Sequence, residues 1–202
     1  TERALQGVLQ ECVTDEACNK AFPNIKAETK AVLDRLVKGP VDVAVQLPNT
    51  PAPIKVSLSR NVAAEAIRYM LYNPNGAARV PLVLHQAAEG DFAPLAQFAL
   101  RFRRTPVGTG SNGMYLTVTC AEDIPWIKRD AGESERFALN TFLGDYRLQQ
   151  QREACGLWPR AKVDSDYVKP VRSDVPVLIL TGEWDPVTPP ANGDYVARSF
   201  SN

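Results

Sequence analysis

The sequence predicts an α/β fold that is mostly helical, with one small hairpin and one late strand of a parallel sheet. Apolar residues recur at helical spacing over most of the 202 residues, and two short segments alternate apolar and polar residues. The run Val177–Thr181 is apolar on both faces, which is typical of strands in parallel sheets covered on both sides. Because one parallel strand cannot form a sheet, we expect the rest of the sheet to lie outside these residues.

The charge pattern indicates which partners to expect. Lys plus Arg equals Asp plus Glu at 23 each, and no run of five like charges occurs. We therefore expect no nucleic acid and no anionic membrane as a partner, but a peptide or small molecule. The longest apolar runs, such as VPVLIL at 175–180, are far shorter than the roughly 20 residues that cross a bilayer, so we expect no membrane span.

The first residues favour one of two origins. The sequence begins at Thr1, with no methionine and no basic-then-apolar leader. Either a signal peptide has been removed or the start is the edge of a fragment.

Helical spacing from Thr1 to Lys38 predicts two or three helices, with Asn24 as a cap before the second apolar run. The segments VDVAVQLP (41–48) and IKVSLS (54–59) alternate with period two and flank a proline-rich connection. This pattern predicts a small hairpin with a loose loop.

The next part of the chain predicts three more helices. Ser59 caps a helix that extends through Tyr72. Residues 77–88 and 91–104 have amphipathic patterns, and Asp91 caps the second of them.

The last third of the chain mixes loop, strand and helix signals. TPVGTGSNG (105–113) predicts a flexible loop, and MYLTVTC predicts a strand from Met114 to Cys120. A long helical pattern follows from about Glu133 to Trp158. After the late strand, a helix is predicted from Pro189 to Phe200, with proline in its first turn.

The four cysteines are Cys12, Cys18, Cys120 and Cys155. With one histidine in the chain they do not make a ligand set of zinc-finger type, so we expect no metal site and no cofactor. Two disulfides are the favoured interpretation, and four buried free thiols are the alternative. Disulfides persist in oxidising compartments, which favours a secreted, periplasmic or cell-envelope protein.

Asp185 is the first candidate functional residue. It follows the late strand at its carboxyl end, where open α/β sheets place their functional groups. From spacing alone, a turn-forming role before Pro186 is the alternative. The segment VPVLILTGEWDPVTPP (175–190) closely resembles the late strand and acid loop of α/β-hydrolases, within the secreted tripeptidyl aminopeptidase and proline iminopeptidase-like group. ECVTDEACNKAFPN (11–24), CAEDIPW (120–126) and ACGLWP (154–159) support the resemblance in the expected order.

The resemblance implies a catalytic role for Asp185. In that family the acid after the strand belongs to a Ser-His-Asp triad and orients its histidine. TGSNG (109–113) departs from the G-x-S-x-G of a nucleophile elbow, and His85 precedes Asp185 within an amphipathic helix, so we interpret His85 as structural. The serine and histidine would then come from N-terminal and C-terminal parts of the hydrolase core that this sequence does not contain.

The resemblance also divides the chain. Residues 1–170 would be a helical lid, which includes a segment at 114–126 that re-enters the core. Residues 171–202 would carry the late core strand, the acid loop and the following helix. The expected fold is thus an α/β-hydrolase fragment: a mostly helical lid with a small hairpin, plus a late parallel core strand.

Glu122 and Asp123 form a candidate cation site. The resemblance aligns Glu122 with the glutamate that anchors the substrate amine of proline iminopeptidases, where a carboxylate makes charge-assisted hydrogen bonds. The alternative is that both carboxylates brace the lid by bonding backbone amides. Trp126, Trp158 and Trp184 lie close to the family motifs and either line a pocket or pack in the core.

The pairing of the cysteines follows from the same motifs. We predict Cys12–Cys18 and Cys120–Cys155, because each pair is near in sequence or joins two family motifs. An unbroken helix rises about 9 Å over six residues, beyond the roughly 7 Å that a disulfide spans between α-carbons. The first pair therefore predicts a helix break near Thr14 and Asp15.

The expected function is that of part of a secreted serine hydrolase, an exopeptidase that releases residues or short peptides from free amino termini. An esterase on the same scaffold is one alternative, since acyl transfer to serine does not distinguish esters from amides. The other is a stand-alone helical binding module without catalysis.

Overall fold

A computed structural model describes residues 1–48, 50–103, 111–127 and 140–201, of which residues 102 and 103 are described by their backbone alone. The chain divides into two compact units. Unit 1 consists of Thr1–Thr105 with Gly182–Pro189, and unit 2 of Pro106–Thr181 with Pro190–Asn202. The predicted division into a lid at 1–170 and a core segment at 171–202 stays a prediction.

Unit 1 is a helical body with one antiparallel hairpin. Its elements are α1 (Glu2–Thr14), α2 (Glu16–Ala21), α3 (Ile25–Val37), β1 (Val41–Val45), β2 (Ile54–Leu58), α4 (Arg60–Met70), α5 (Pro74–Ala77), α6 (Val80–Ala88) and α7 (Ala93–Arg103). The alternating segments pair as predicted, with Val43 opposite Val56. Their outward positions are polar because successive side chains of a strand point to opposite faces.

The caps of unit 1 account for where its helices begin. The Ser59 hydroxyl accepts a hydrogen bond from the Val62 N–H at 3.4 Å, and Asp91 Oδ1 accepts one from the Ala93 N–H at 3.0 Å. The predicted cap at Ser59 is confirmed, whereas Asp91 lies one residue before the N-cap position of α7 and bonds the N–H of its first residue. Asn24 occupies the N-cap position of α3, although its side chain makes no capping bond.

The break between α1 and α2 is where the sequence predicted it. Asp15 has an extended backbone (φ −78°, ψ 124°), and its side chain accepts the Cys18 N–H at 2.8 Å. This turn brings Cys12 and Cys18 together as a disulfide with 5.0 Å between their α-carbons. One aspartate therefore ends the first helix, caps the second and allows the crosslink.

The core of unit 1 comes from the helical stripes that the sequence shows. The largest fully buried aliphatic side chains of this unit include Leu5, Leu9, Ile25, Val32, Leu58, Ile67, Met70, Val80, Leu84 and Leu95. On the edge of this core, His85 Nδ1 of α6 lies 3.0 Å from Glu28 Oε2 of α3. The Phe22 ring packs near the imidazole, with 5.2 Å between centroids. These contacts join three helical segments, as expected of a structural histidine.

Unit 2 contains α8 (Asn112–Glu122), α9 (Tyr146–Leu157) and α10 (Pro190–Ala197), with short 3₁₀ turns at Ile124–Trp126 and Ser165–Val168. Cys120 and Cys155 form the second predicted disulfide, which ties α8 to α9 with 5.1 Å between α-carbons. Both predicted pairings are confirmed.

The strand predicted at Met114–Cys120 is wrong, because these residues lie in α8. The Ser111 hydroxyl accepts the Met114 N–H at 3.1 Å and so caps this helix. The hydroxyls of Thr117 and Thr119 donate to carbonyls four residues earlier, at 2.8 Å each. A helical backbone thus satisfies the threonines that would favour a strand, and burial of Cys120 against α9 decides the outcome.

The long helix predicted from Glu133 to Trp158 is shorter where the structure describes it. The helix begins at Tyr146, after turns at 140–145 that include Gly144 in the left-handed region (φ 62°). A left-handed residue interrupts a right-handed helix, which explains the late start. The part of the prediction that falls on residues 128–139 lies outside the described residues.

The predicted core strand at Val177–Thr181 is not a strand in the part of the chain that the structure describes. No parallel sheet is present there, and the described sheet is the antiparallel hairpin alone. A strand exists only through hydrogen bonds to a neighbour, and none of the described segments pairs with this one. Leu178 and Leu180 are each 83 % exposed.

The final helix packs on this extended segment. It runs over Pro190–Ala197, slightly shorter than the predicted Pro189–Phe200. A Cβ at Gly193 would lie 2.8 Å from Thr181 Cγ2 and 3.1 Å from Ile179 Cγ2, so glycine allows a close approach. Ile179 is half-buried, whereas its neighbours Leu178 and Leu180 point away from α10 into solvent.

Among the described residues, no helix combines the length and the apolar character that crossing a membrane requires. The two disulfides indicate an extracytoplasmic location, because such crosslinks persist where thiols are not kept reduced.

The disulfides should stabilise the two units unequally. The bridges close segments with sequence separations of 6 and 35 residues, and the loop-entropy cost in the unfolded chain grows with loop length. We expect the double variant Cys120→Ala/Cys155→Ala to lose about 4 kcal/mol and Cys12→Ala/Cys18→Ala about 2 kcal/mol of unfolding free energy. Urea unfolding of both variants beside the oxidised parent measures this order. A larger loss for the short bridge would contradict the entropic account.

Candidate functional site

The carboxylate of Asp185 is held by its own loop. Its Oδ1 accepts the backbone N–H groups of Val187 at 2.7 Å and Thr188 at 2.8 Å, and its Oδ2 accepts the Thr188 hydroxyl at 2.9 Å. The turn-forming role weighed from the sequence is therefore present. These hydrogen bonds stabilise the ionised form, so the Thr188 and Val187 amides and the Thr188 hydroxyl hold the pKa of Asp185 below its ordinary value.

The loop that carries Asp185 forms one wall of a cavity of about 900 Å³ within unit 1. The other walls come from the α1–α2 turn and from the end of α4 through α5 to the start of α6. The lining residues with large apolar or aromatic surfaces include Val8, Leu71, Tyr72, Pro81, Trp184 and Val187. Three carboxylates, Glu11, Asp15 and Asp185, also line it, and none of the described lining residues is basic. The cavity thus offers apolar surface with negative charge.

Helix α1 and its N-cap residue Thr1 hold the acid loop by several contacts. The Thr1 hydroxyl donates to the Pro186 carbonyl at 2.7 Å. Arg3 Nη2 donates to the Glu183 carbonyl at 2.6 Å. The indole N–H of Trp184 donates to the Glu11 carboxylate. The Trp184 ring covers Gly7, where a Cβ would lie only 2.3 Å from ring atoms Cε3 and Cζ3. The Arg3 guanidinium also lies 5.7 Å from the Trp184 ring centroid, within the range of a cation–π contact.

Sequence reasoning missed Arg3, Gly7 and Glu11. Their spacing of four residues places them on one face of a helix, which was a usable signal. Nothing in the sequence indicates which residues this helix face contacts, because those residues lie far along the chain. Glu11 does open the first family motif, ECVTDEACNKAFPN.

The serine of TGSNG and the histidine interpreted as structural both have local contacts. Ser111 caps α8 through its hydroxyl, and His85 pairs with Glu28. Neither contact involves Asp185. Residues 109 and 110 of the TGSNG stretch lie outside the described residues.

The second candidate site lies in unit 2 at the end of α8. Glu122 is its last residue, is half-buried, and accepts a hydrogen bond on Oε2 from the Tyr167 hydroxyl at 2.5 Å. Acceptance by Glu122 stabilises the protonated phenol, which raises the pKa of Tyr167. Asp123 follows as the exposed C-cap residue. The brace for Glu122 is thus a tyrosine hydroxyl on the 3₁₀ turn, a contact that the sequence did not indicate.

The three tryptophans near the family motifs differ in their surroundings. Trp184 lines the cavity, as one of the two interpretations proposed, whereas Trp126 is 38 % exposed and Trp158 is half-buried and donates to Thr117 Oγ1 at 3.2 Å. Within the described ranges, no group of three or more His, Cys, Asp or Glu residues is arranged to hold a metal ion.

Comparison with known proteins gives a family match over part of the chain. Residues 140–202 match the model of a family described as TAP-like protein, which belongs to the α/β-hydrolase superfamily. The resemblance predicted from the sequence is confirmed for this region, which includes Asp185 and its loop. The family consists of serine hydrolases. No curated protein and no solved structure gave a match to the chain.

The titration of Asp185 tests the geometry of the loop without any enzyme assay. Thr188→Val removes the hydroxyl but keeps the amide, so the pKa of Asp185 should rise part of the way toward its ordinary value of 3.8. Carboxyl ¹³C chemical shifts against pH measure it. Thr14→Val, which removes a hydroxyl bonded to carbonyls of α1, is the control and should leave the titration unchanged.

The lowered pKa of Asp185 also determines how its contribution to stability depends on pH. Because the folded pKa of Asp185 lies below the unfolded one, its contribution to stability is complete above about pH 4 and is lost as the pH falls through the folded pKa. A pKa of Asp185 that does not respond to Thr188→Val would contradict the hydroxyl contact.

Proposed function

We propose that this chain is part of a serine hydrolase that releases residues or short peptides from free amino termini, with Asp185 as the acid of its Ser-His-Asp triad. The proposal is carried by Asp185, which lies in the region that matches the TAP-like family and lines the cavity of about 900 Å³. A fixed acid beside an open cavity is what a triad requires of this residue.

The hydrogen bonds of Asp185 leave room for a histidine. A carboxylate has about four acceptor positions on its two oxygens. Val187 and Thr188 occupy two positions on Oδ1, and the Thr188 hydroxyl occupies one on Oδ2. The remaining position on Oδ2 would accept the Nδ1–H of the catalytic histidine. The acid would then fix the imidazole tautomer and stabilise the imidazolium that forms when serine attacks.

The serine and the histidine would be supplied by parts of the hydrolase core beyond these residues. The sequence contains no G-x-S-x-G, and no histidine follows Asp185. The missing N-terminal and C-terminal parts of the core are therefore the first partners that we propose. Triad chemistry needs no metal or other cofactor.

Glu122 would bind the ammonium group of the substrate. Its Oε2 is occupied by the Tyr167 hydroxyl, which orients the carboxylate, so Oε1 would receive the charged amine. Asp123, the next residue, adds a second negative charge. A peptide with a free amino terminus is the substrate that this pair favours, and the two disulfides favour a secreted, periplasmic or cell-envelope enzyme.

The triad assignment predicts the effect of Asp185→Asn. In the full-length protein that contains this chain, kcat on aminoacyl and tripeptidyl nitroanilides should fall by up to about 10⁴-fold, because the amide favours the wrong histidine tautomer. Asp194→Asn, at an exposed position of α10, is the matched control and should keep full activity. The 202 residues alone should neither turn over these substrates nor react with a fluorophosphonate probe. Stoichiometric labelling of the isolated chain would overturn the proposal.

The amine-anchoring role of Glu122 predicts a selective loss. Glu122→Gln should lower kcat/KM for substrates with a free amino terminus by about 10- to 100-fold, the equivalent of a lost charge-assisted bond of 1.5–3 kcal/mol. Amino-blocked and simple ester substrates should lose far less. Glu153→Gln, an exposed change of the same charge on α9, is the control. Equal losses for blocked and free substrates would leave Glu122 with a structural role only.

A further inference from the structure

We infer that α1 positions the acid of the triad. The ring of Trp184 packs on Gly7 and its indole N–H donates to Glu11, and these two contacts determine the position of Asp185, the next residue. This inference rests on the proposed function, since the position of Asp185 matters to catalysis only if Asp185 orients the histidine. It adds Gly7 and Glu11 of the N-terminal helix as positioning residues, because both act on Asp185 through Trp184.

Three residues on one face of α1 contact the loop, and the N-cap residue Thr1 adds a bond to the Pro186 carbonyl. Arg3, Gly7 and Glu11 are four residues apart and therefore lie one above the other on the helix surface. Arg3 binds the carbonyl of Glu183, and Gly7 and Glu11 contact the two ends of the Trp184 indole. Three successive turns of a helix thus hold the two residues that immediately precede Asp185.

Gly7 is the most specific of these residues. A glycine in a helix interior costs about 0.5–1 kcal/mol relative to alanine, so helix stability does not explain its presence. An added Cβ would lie 2.3 Å from two ring carbons of Trp184, which is far closer than van der Waals contact. The absence of a side chain at this buried position is therefore what lets the ring lie directly on the helix backbone.

The contacts of Asp185 determine how its carboxylate is oriented, whereas those of Trp184 help to determine where the loop lies. The bonds from Val187 and Thr188 orient the carboxylate within its own loop. They do not determine where the loop lies in unit 1, since both partners move with it. The packing of Trp184 on α1 restrains the loop at the residue before Asp185, and the Thr1 hydroxyl, bound to the Pro186 carbonyl, restrains it at the residue after. A displacement of about 1 Å at a catalytic group can cost on the order of 100-fold in rate.

The test uses four variants of the full-length protein. Gly7→Ala should displace the ring and Glu11→Ala should release the indole N–H, so each should lower kcat by about 10- to 100-fold with little change in KM. Glu11→Gln retains an oxygen acceptor for the indole and should restore most of the activity. Glu16→Ala, an exposed glutamate of α2 outside the cavity lining, should behave as the parent.

A pH profile separates positioning from a general loss of structure. A displaced Asp185 stabilises the imidazolium less, so the acid limb of kcat/KM against pH should shift to lower pH in Gly7→Ala and Glu11→Ala. A merely structural defect would lower the whole profile without shifting it. In the 202-residue chain, the indole N–H resonance of Trp184, assigned with Trp184→Phe, should move in both variants but not in Glu16→Ala.

The outcomes distinguish this inference from the proposed function. If Asp185→Asn loses activity while Gly7→Ala and Glu11→Ala match Glu16→Ala, the positioning role is wrong and the triad assignment stands. An unmoved indole resonance in Gly7→Ala would also overturn the positioning role. If Asp185→Asn keeps full activity, the triad assignment and the positioning role fall together.

Discussion

The seating of the Trp184 ring on Gly7 is the contact on which the candidate active site depends. The acid loop has no regular secondary structure, so side chains from outside the loop, and not backbone–backbone hydrogen bonds, place it against the rest of unit 1. A large aromatic ring on bare helix backbone supplies that placement through packing, and the Glu11 and Arg3 contacts fix its orientation. The packing of Trp184 on α1 also shapes the cavity beside Asp185, because α1 and the loop form two of its walls.

The turn at Asp15 restrains the helix on which Trp184 packs. The same α1 that carries Gly7 and Glu11 ends at Thr14, and the Cys12–Cys18 disulfide ties its last turn to α2. The crosslink lines the cavity that Asp185 also lines. The short disulfide at this interhelical turn restrains the last turn of α1, which also carries Glu11 and its contact with Trp184.

The two proposed functional carboxylates are held by different donors, and their electrostatics differ accordingly. Asp185 accepts two amides and a hydroxyl, which favour its ionised form and lower its pKa. Glu122 accepts one phenol, which keeps one oxygen available and raises the pKa of Tyr167 instead. An acid that must remain charged beside an imidazolium benefits from many donors, whereas an acid that must bind an incoming cation benefits from fewer.

Local sequence signals predicted the parts of the fold that local physics decides. The hairpin of β1 and β2, the cap at Ser59 and the helix break before Cys18 each depend on residues within a few positions of one another. The predicted strand at Met114–Cys120 failed for the complementary reason. β-branched residues there favour a strand, but a cap and a disulfide partner 35 residues away favour a helix, and the latter contacts prevail.

By itself, the sequence determined the cysteine pairs, the hairpin, the predominance of helix and the place of Asp185 in a motif of α/β-hydrolase type. Tertiary structure alone decided that Gly7 and Glu11 belong beside that acid. The Glu11–Trp184 bond joins residues 173 positions apart, and such a contact leaves no periodicity in either segment. Tertiary structure likewise decided that Val177–Thr181 is not a strand here. An apolar run becomes a strand only when a neighbouring backbone exchanges hydrogen bonds with it.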